Sequence, residues 1–288
     1  MVSKHERELL NVKPSSVPIP PSWSEKESDC LTKSEAKKYR ALVGSIQYLG
    51  NGSRPDIAFA CSILGQFLKE PREHHLDMAL SVLYYLNRTQ DMVLFYPIDR
   101  SSQIIAYSDS DYAGCTRTSR SRSGHIFMIG KNSVISWKSQ LQHVVALSTC
   151  EAEFYALTTA VKEAIHIRRL HFELDHLIAF PDEQEEYLNP VSMNLKPKDK
   201  ACENQIQRLI LHVDNKSAIQ VARSPGHKVT KHVRVRLQFV HFHVEQGSVD
   251  LHWVGTKGQV ADIFTKPLVK AIFNFQRDKC GLRRLKEE

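Results

Sequence analysis

Four acidic residues stand where apolar runs end or helical patterns begin. Asp109 follows Gln103-Ile104-Ile105-Ala106-Tyr107-Ser108, and Asp214 follows Leu209-Ile210-Leu211-His212-Val213. Glu153 falls in the first turn or so of a long helical pattern that starts near Ser148. Asp262 lies in a short helical stretch from Gln259 to Thr265. Carboxylates gathered at one place repel one another and need compensation. A pair of Mg²⁺ ions supplies it, because hard cations take carboxylate oxygens. Two such ions, roughly 3.5–4 Å apart, can activate a water and stabilise the leaving oxygen of a phosphodiester. Lys228, Lys231, Arg234 and Arg236 could follow phosphates nearby. Taken singly, an Asp or Glu is most often a solvated surface group, and a basic run a solvated helix face. The set gains meaning only in a fold that brings its members together.

The elements that would do so can be read from periodicity. Leu42, Ile46 and Leu49 recur at helical spacing. Arg54-Pro55-Asp56 starts a second helix with proline in its first turn, and Leu76, Leu80, Leu83 and Leu86 mark a third. After Tyr96-Pro97 the period changes, and three strands follow: 103–108, 124–129 and 134–137. The stripe Phe154, Leu157, Val161, Ala164 and Ile165 predicts the long helix, and Ser148-Thr149-Cys150-Glu151 resembles a capping box at its start. Residues 209–213 form a buried strand, 217–222 a short helix and 249–254 a final strand. The run from Val233 to Val244 carries both a strand-like alternation and a helical spacing. Its length and the break at Phe239-Val240 favour helix. The order β-β-β-α-β-α-α-β-α predicts an α/β fold, a mixed five-stranded sheet with helices on both faces, preceded by a small helical segment.

Four regions are expected. Residues 1–34, with four prolines between Lys13 and Pro21, read as a tail or linker. Residues 35–97 are the helical segment. Residues 98–268 are the α/β domain, with a polar insertion at 180–207. Residues 269–288 read as a basic C-terminal tail. The net charge of +7 permits a nucleic-acid partner without identifying it. No apolar run reaches the roughly 18 residues of a membrane span, and residues 1–8 lack the apolar stretch of a signal peptide. The six cysteines form no C-x-x-C pair and are expected to be free thiols. Neither His74-His75 nor His241-x-His243 has the spacing of a zinc site.

Several strings resemble the C-terminal part of the Pol polyprotein of copia-type LTR retrotransposons. They include Tyr39-Arg40-Ala41-Leu42-Val43-Gly44-Ser45 and Arg54-Pro55-Asp56-Ile57-Ala58-Phe59-Ala60. Tyr107-Ser108-Asp109-Ser110-Asp111-Tyr112-Ala113-Gly114 and Ser148-Thr149-Cys150-Glu151-Ala152-Glu153-Phe154-Tyr155-Ala156-Leu157 follow. Val213-Asp214-Asn215-Lys216-Ser217-Ala218, Lys231-His232-Val233 and Ala261-Asp262-Ile263-Phe264-Thr265-Lys266-Pro267-Leu268 complete the series in the family's order.

The resemblance implies a ribonuclease H domain at about 100–268 and the thumb or connection of a reverse transcriptase at 35–97. It implies Mg²⁺-dependent endonucleolytic hydrolysis of the RNA strand of RNA–DNA hybrids, with two ions and with Mn²⁺ as a substitute. The D-E-D-D set carries over to Asp109, Glu153, Asp214 and Asp262, with Asp111 and Glu151 as the alternatives at the first two positions. Asp109 would bridge both ions, Glu153 and Asp214 would hold the leaving-group ion, and Asp262 the ion that activates water. Lys228, Lys231, His232 and Arg234 would contact the hybrid backbone. The loop Gly255-Thr256-Lys257-Gly258-Gln259 lacks the histidine that cellular ribonucleases H often carry there. The chain contains no Asp-Asp dipeptide, so the polymerase motif is missing and no DNA synthesis is expected of it. It would be a fragment or truncated element, with the missing fingers and palm as a partner. Its location would be intracellular: cytoplasm, virus-like particle or nucleus. The competing expectation is a catalytically silent remnant that binds nucleic acid or serves as a structural module.

Overall fold

The computed structural model describes residues 15–97, 103–130, 132–179, 208–224 and 231–285. Three helices come first: α1 (Lys33–Gly52), α2 (Ala58–Leu64) and α3 (Glu73–Asn87). Thr32 caps α1: its hydroxyl accepts from the Glu35 N–H, and the Glu35 carboxylate accepts from the Thr32 N–H. Pro55 opens a 3-10 turn that leads into α2. The strands β1 (Met92–Leu94), β2 (Ile104–Asp111), β3 (Arg122–Ile129) and β4 (Ser133–Leu141) follow. Next come α4 (Thr149–Ala179), β5 (Leu209–Val213), α5 (Lys216–Arg223), α6 (Lys231–Glu245) and β6 (Val249–Trp253). A 3-10 helix (Val260–Phe264), α7 (Lys270–Lys279) and β7 (Leu282–Arg284) end the described chain.

The main sheet has five strands in the order β4-β3-β2-β5-β6. β3 is antiparallel to both neighbours, whereas β2, β5 and β6 are parallel. The fold is the ribonuclease H-like mixed sheet that the sequence predicts. α4, α5 and α6 cover one face through Phe154, Leu157, Val161, Ala218, Leu237 and Val240, which pack on Leu209, Leu211 and Leu251. The twofold reading of 233–244 resolves as helix. In α6, Leu237 and Val240 are buried while Val235 and Phe242 face outward, a helical face rather than a strand's alternation.

The other face is covered by the helical segment and the Val260–Phe264 turn. Ile126, Met128 and Val134 of the sheet share one apolar core with Tyr39, Ile46, Leu64, Leu83 and Phe264. Polar contacts tie the same face down: the Trp137 indole N–H donates to the Gly50 carbonyl at 2.7 Å, and Arg122 of β3 donates to the Ser62 hydroxyl on α2.

Both ends differ from the expectation of free tails. Val17 and Ile19 are buried in that core, so the proline-rich run is docked from at least residue 15. Residues 269–288 were expected as a basic tail, but Lys270–Lys279 is helical and Leu282–Arg284 pairs antiparallel with β1. The reason is amphipathicity: Phe273, Cys280 and Leu282 are buried while Lys270 and Lys279 stay exposed. The 180–207 insertion lies outside the described residues.

Because the sheet's second face is covered by residues 15–97, removing them would expose contiguous apolar surface. A fragment of residues 98–288 is expected to lose cooperative thermal unfolding in calorimetry, whereas the full chain melts in a single transition.

Candidate active site

Strand register places the first two acids. Parallel β2 and β5 pair Ser108 with Val213. One step further along both strands, Asp109 and Asp214 stand side by side at the carboxyl end of β5, where ligands gather in α/β sheets. α4 packs across β2 and β3 and carries Glu153 to the same point. Ligand oxygens of Asp109, Glu153 and Asp214 all lie within 4.8 Å of one another. Asp262, on the 3-10 helix, sits at the edge of this triad. Lys266 joins them, its Nζ 2.8 Å from Asp262 Oδ1 and 4.0 Å from Asp109 Oδ2. The Thr265 hydroxyl donates a short hydrogen bond to Asp109 Oδ2.

Neighbouring residues hold this geometry. Gly124 lies opposite Asp109 in the β2–β3 ladder. A Cβ at Gly124 would fall 2.7 Å from Phe264 Cβ and 2.8 Å from Thr265 Cγ2, so only glycine lets the 3-10 helix approach the strand. Gln259 is fully buried and donates from Nε2 to the Ser108 carbonyl at 2.9 Å, clamping the turn that bears Asp262 to β2. Gln276 of α7 in turn donates to the Gln259 carbonyl at 2.8 Å. Gln142 donates to the Ser123 hydroxyl at 2.9 Å and to the Ala152 carbonyl at 3.0 Å, fixing the start of α4 one residue before Glu153. The Asn215 side chain accepts from the Ala218 N–H and caps α5 just after Asp214. Gln259, Thr265, Lys266, Gln142 and Gly124 carry no expected role from sequence. Only Lys266 leaves a local signal, an i,i+4 spacing from Asp262.

Burial and mutual repulsion raise the carboxyl pKa values. Glu153 is pushed well above the ordinary value by burial, then by Asp109 and Asp214, against the Ser110 backbone N–H that favours its charged form. Asp214 rises through burial and Asp109. Asp262 is pushed up to about 7 by burial and Asp109, although Lys266 acts to lower it. For Lys266, burial acts to lower the pKa, but Asp109 and Asp262 outweigh it and the pKa rises. Glu153 Oε2 is buried and accepts no hydrogen bond. An orphaned carboxylate oxygen facing two further carboxylates fits a hard divalent cation, which would supply the missing partner.

The alternatives lie elsewhere. Asp111 ends β2 outside the triad, packed against Gly114, with its pKa raised by burial. Glu151 is half-buried and occupied in capping: its N–H donates to Ser148 Oγ, and its carboxylate accepts from the Leu147 N–H. Among the basic candidates, Lys228 and the side chains of Lys231 and His232 lie outside the described residues. Arg234 is exposed on α6. Arg236 lies 3.9 Å over the Tyr155 ring, two residues from Glu153, so the basic helix borders the acid cluster. At the other border, the Trp253 indole donates to the Asp214 carbonyl at 3.1 Å, and Lys216 sits 4.4 Å over its ring.

The five-stranded mixed sheet, with acids at the carboxyl ends of its strands, is the arrangement that the resemblance to a ribonuclease H domain led us to expect. Over most of its length, the chain is homologous to the Pol polyproteins of copia-type transposons. It is 29% identical over 278 residues to the retrovirus-related Pol polyprotein from transposon RE1 of Arabidopsis thaliana, covering 96% of this chain and 17% of that protein. It is 30% identical over 282 residues to the Pol polyprotein from transposon TNT 1-94 of Nicotiana tabacum, covering 95% of this chain and 19% of that protein. The chain thus spans less than a fifth of the length of these relatives. No protein-family model matches it. Solved structures that resemble it include the N-terminal ribonuclease H domain of a Mycobacterium tuberculosis protein, at TM-score 0.35 and 12% identity, covering 62% of this chain and 98% of that one. The foamy viral protease–reverse transcriptase in complex with an RNA/DNA hybrid aligns at TM-score 0.46 and 10% identity, over 88% of this chain and 27% of that one.

The raised Asp262 pKa has a pH consequence. Its carboxyl is protonated more readily folded than unfolded, so the stability it contributes is present at low pH and is lost as pH rises from about 4 towards about 7. His75 and His125, both lowered to about 4 by burial, act in the opposite sense below about 6.5. Asp262→Asn keeps both histidines. Without divalent ions, the melting temperature of wild type relative to Asp262→Asn is expected to fall between pH 5 and pH 8. Added Mg²⁺ at pH 8 should restore it.

Proposed function

We propose that this chain is a divalent-metal-dependent endonuclease of the ribonuclease H type, cutting the RNA strand of RNA–DNA hybrids. The observation that carries this reading is the buried triad of Asp109, Glu153 and Asp214 with mutually reachable oxygens, and Asp262 at its edge. Homology to transposon Pol proteins supports it, since the resemblance to that family implies a ribonuclease H domain in this part of the chain. Asp109, Glu153 and Asp214 would hold one Mg²⁺ or Mn²⁺ ion, and Asp109 with Asp262 the second. When bound, the ions would activate the attacking water and neutralise charge on the phosphate and leaving oxygen.

The chain's own residues supply position and charge. Thr265 and Gln259 orient Asp109 and the turn behind it. Glu153 and Asp214 supply the charge that burial makes unfavourable without a cation. Arg234, Lys228, Lys231 and His232 would track the hybrid backbone, a contact with shape and phosphate rather than base identity. Residues 35–97 are inferred to be the end of a reverse transcriptase region whose fingers and palm would add hybrid affinity. The activity would be exercised inside the cell, where hybrids arise. Among the described residues, no helix is long and apolar enough to cross a membrane.

Purified protein with Mg²⁺ and an end-labelled RNA–DNA hybrid tests the reading. Wild type should cut the RNA strand internally. Asp214→Asn and Glu153→Gln should each lose at least about 100-fold in rate, beyond the 10–100-fold typical of a residue that only supports a metal ligand. No cleavage above those variants would leave the chain a nucleic-acid-binding remnant. In either case, hybrid binding should weaken steeply with salt, and Arg234→Ala should make that slope shallower.

A further inference from the structure

The four acids are not equivalent in the folded chain. Three have oxygens within 4.8 Å of one another. The fourth, Asp262, is engaged by Lys266 at 2.8 Å, and the same ammonium stands 4.0 Å from Asp109. Lys266 is therefore a cation between the two carboxylates that the proposed function assigns to the second metal ion. It is one turn along from Asp262, and the Thr265 hydroxyl beside it is bonded to Asp109 and to the Asp262 carbonyl at 3.2 Å. The Lys266 side chain is one-third exposed, whereas those of Asp109 and Asp262 are 2% and 6% exposed. The ammonium thus has a route to solvent that the carboxylates lack.

We propose that Lys266 and the second divalent ion are alternative occupants of the gap between Asp109 and Asp262. The inference rests on the metal-dependent reading of the site. An ammonium brings one positive charge, which pairs with Asp262 Oδ1 at 2.8 Å and softens its repulsion from Asp109 without satisfying that oxygen's hydrogen-bonding capacity. A divalent ion bound to both carboxylates would meet Lys266 as a like charge at contact range, so the lysine must leave for the ion to enter. Without nucleic acid, the chain then takes a single ion, on Asp109, Glu153 and Asp214. The second enters when a competing anion, a substrate phosphate, draws the lysine outward. Lys266 is on this view a positioning residue that sets how many ions the resting site holds.

The test is metal stoichiometry rather than turnover. Mn²⁺ binding to the full chain is followed by titration calorimetry and by loss of free-ion electron paramagnetic resonance signal, without nucleic acid. Wild type and Lys266→Arg are expected to bind one ion, and Lys266→Met two. Lys266→Met should also bind its first ion at least as tightly as wild type. One ion in all three proteins, or two in wild type, overturns the role of Lys266 and leaves the metal site standing. No bound ion in any of them overturns the metal reading, and the inference with it. Should Lys266→Met fail to fold, the wild-type count and a Lys266→Gln variant decide the matter in the same way.

Discussion

Repulsion among buried carboxylates is the constraint around which this protein is arranged. Asp109, Glu153 and Asp262 are each less than a tenth exposed, and Asp214 is half-buried beside them. Acidic side chains are almost never so buried without a partner. The surroundings only partly relieve the repulsion: Thr265 donates to Asp109, the Ser110 N–H supports Glu153, and Lys266 pairs with Asp262. Glu153 Oε2 and Asp262 Oδ1, buried oxygens that accept no hydrogen bond, mark what remains. A site that keeps such an arrangement is built for a cation that arrives from outside.

Rigid support makes the crowding sustainable. Each acid comes from a different element, and each element is fixed by a contact that has no other evident purpose. Gln142 ties the start of α4 to β3, and Gln259 ties the last turn to β2. Gly124 lets that turn lie against the strand. Behind these contacts the second face of the sheet rests on the N-terminal helices, so the helical segment and the α/β domain share one core. The helical segment is thus also the floor of the candidate nuclease site.

The basic side of the molecule complements the acidic site without neutralising it. α6 brings Arg236 over Tyr155 at the start of α4, and Lys216 with Trp253 brackets Asp214 from the other border. Cations that stack on rings are held away from the carboxylates and remain available to phosphate. If the proposed function holds, this separation would let a net charge of only +7 meet a polyanionic substrate while four acids stay together. The distribution of charge matters here more than its sum.

Much of this was legible in the sequence, because the information was local. Short apolar runs bounded by polar residues gave β2, β5 and β6, and the 3.6-residue stripe gave α4, whereas Glu151 stayed open as the alternative to Glu153. The four candidate acids were chosen from where those elements end and, chiefly, from the motifs that carry the family resemblance. What tertiary structure alone decided are the pairings across long stretches of chain. Gln259 reaches Ser108 across 151 residues and Thr265 reaches Asp109 across 156. The docking of Val17 and Ile19, the pairing of β1 with β7 and the place of Lys266 between two carboxylates belong to the same class. Periodicity and capping report how a segment arranges its own backbone and which face it buries. They carry no term for which distant segment covers that face, and that choice is made by shape, by a glycine where a turn must approach, and by the charge already waiting in the site.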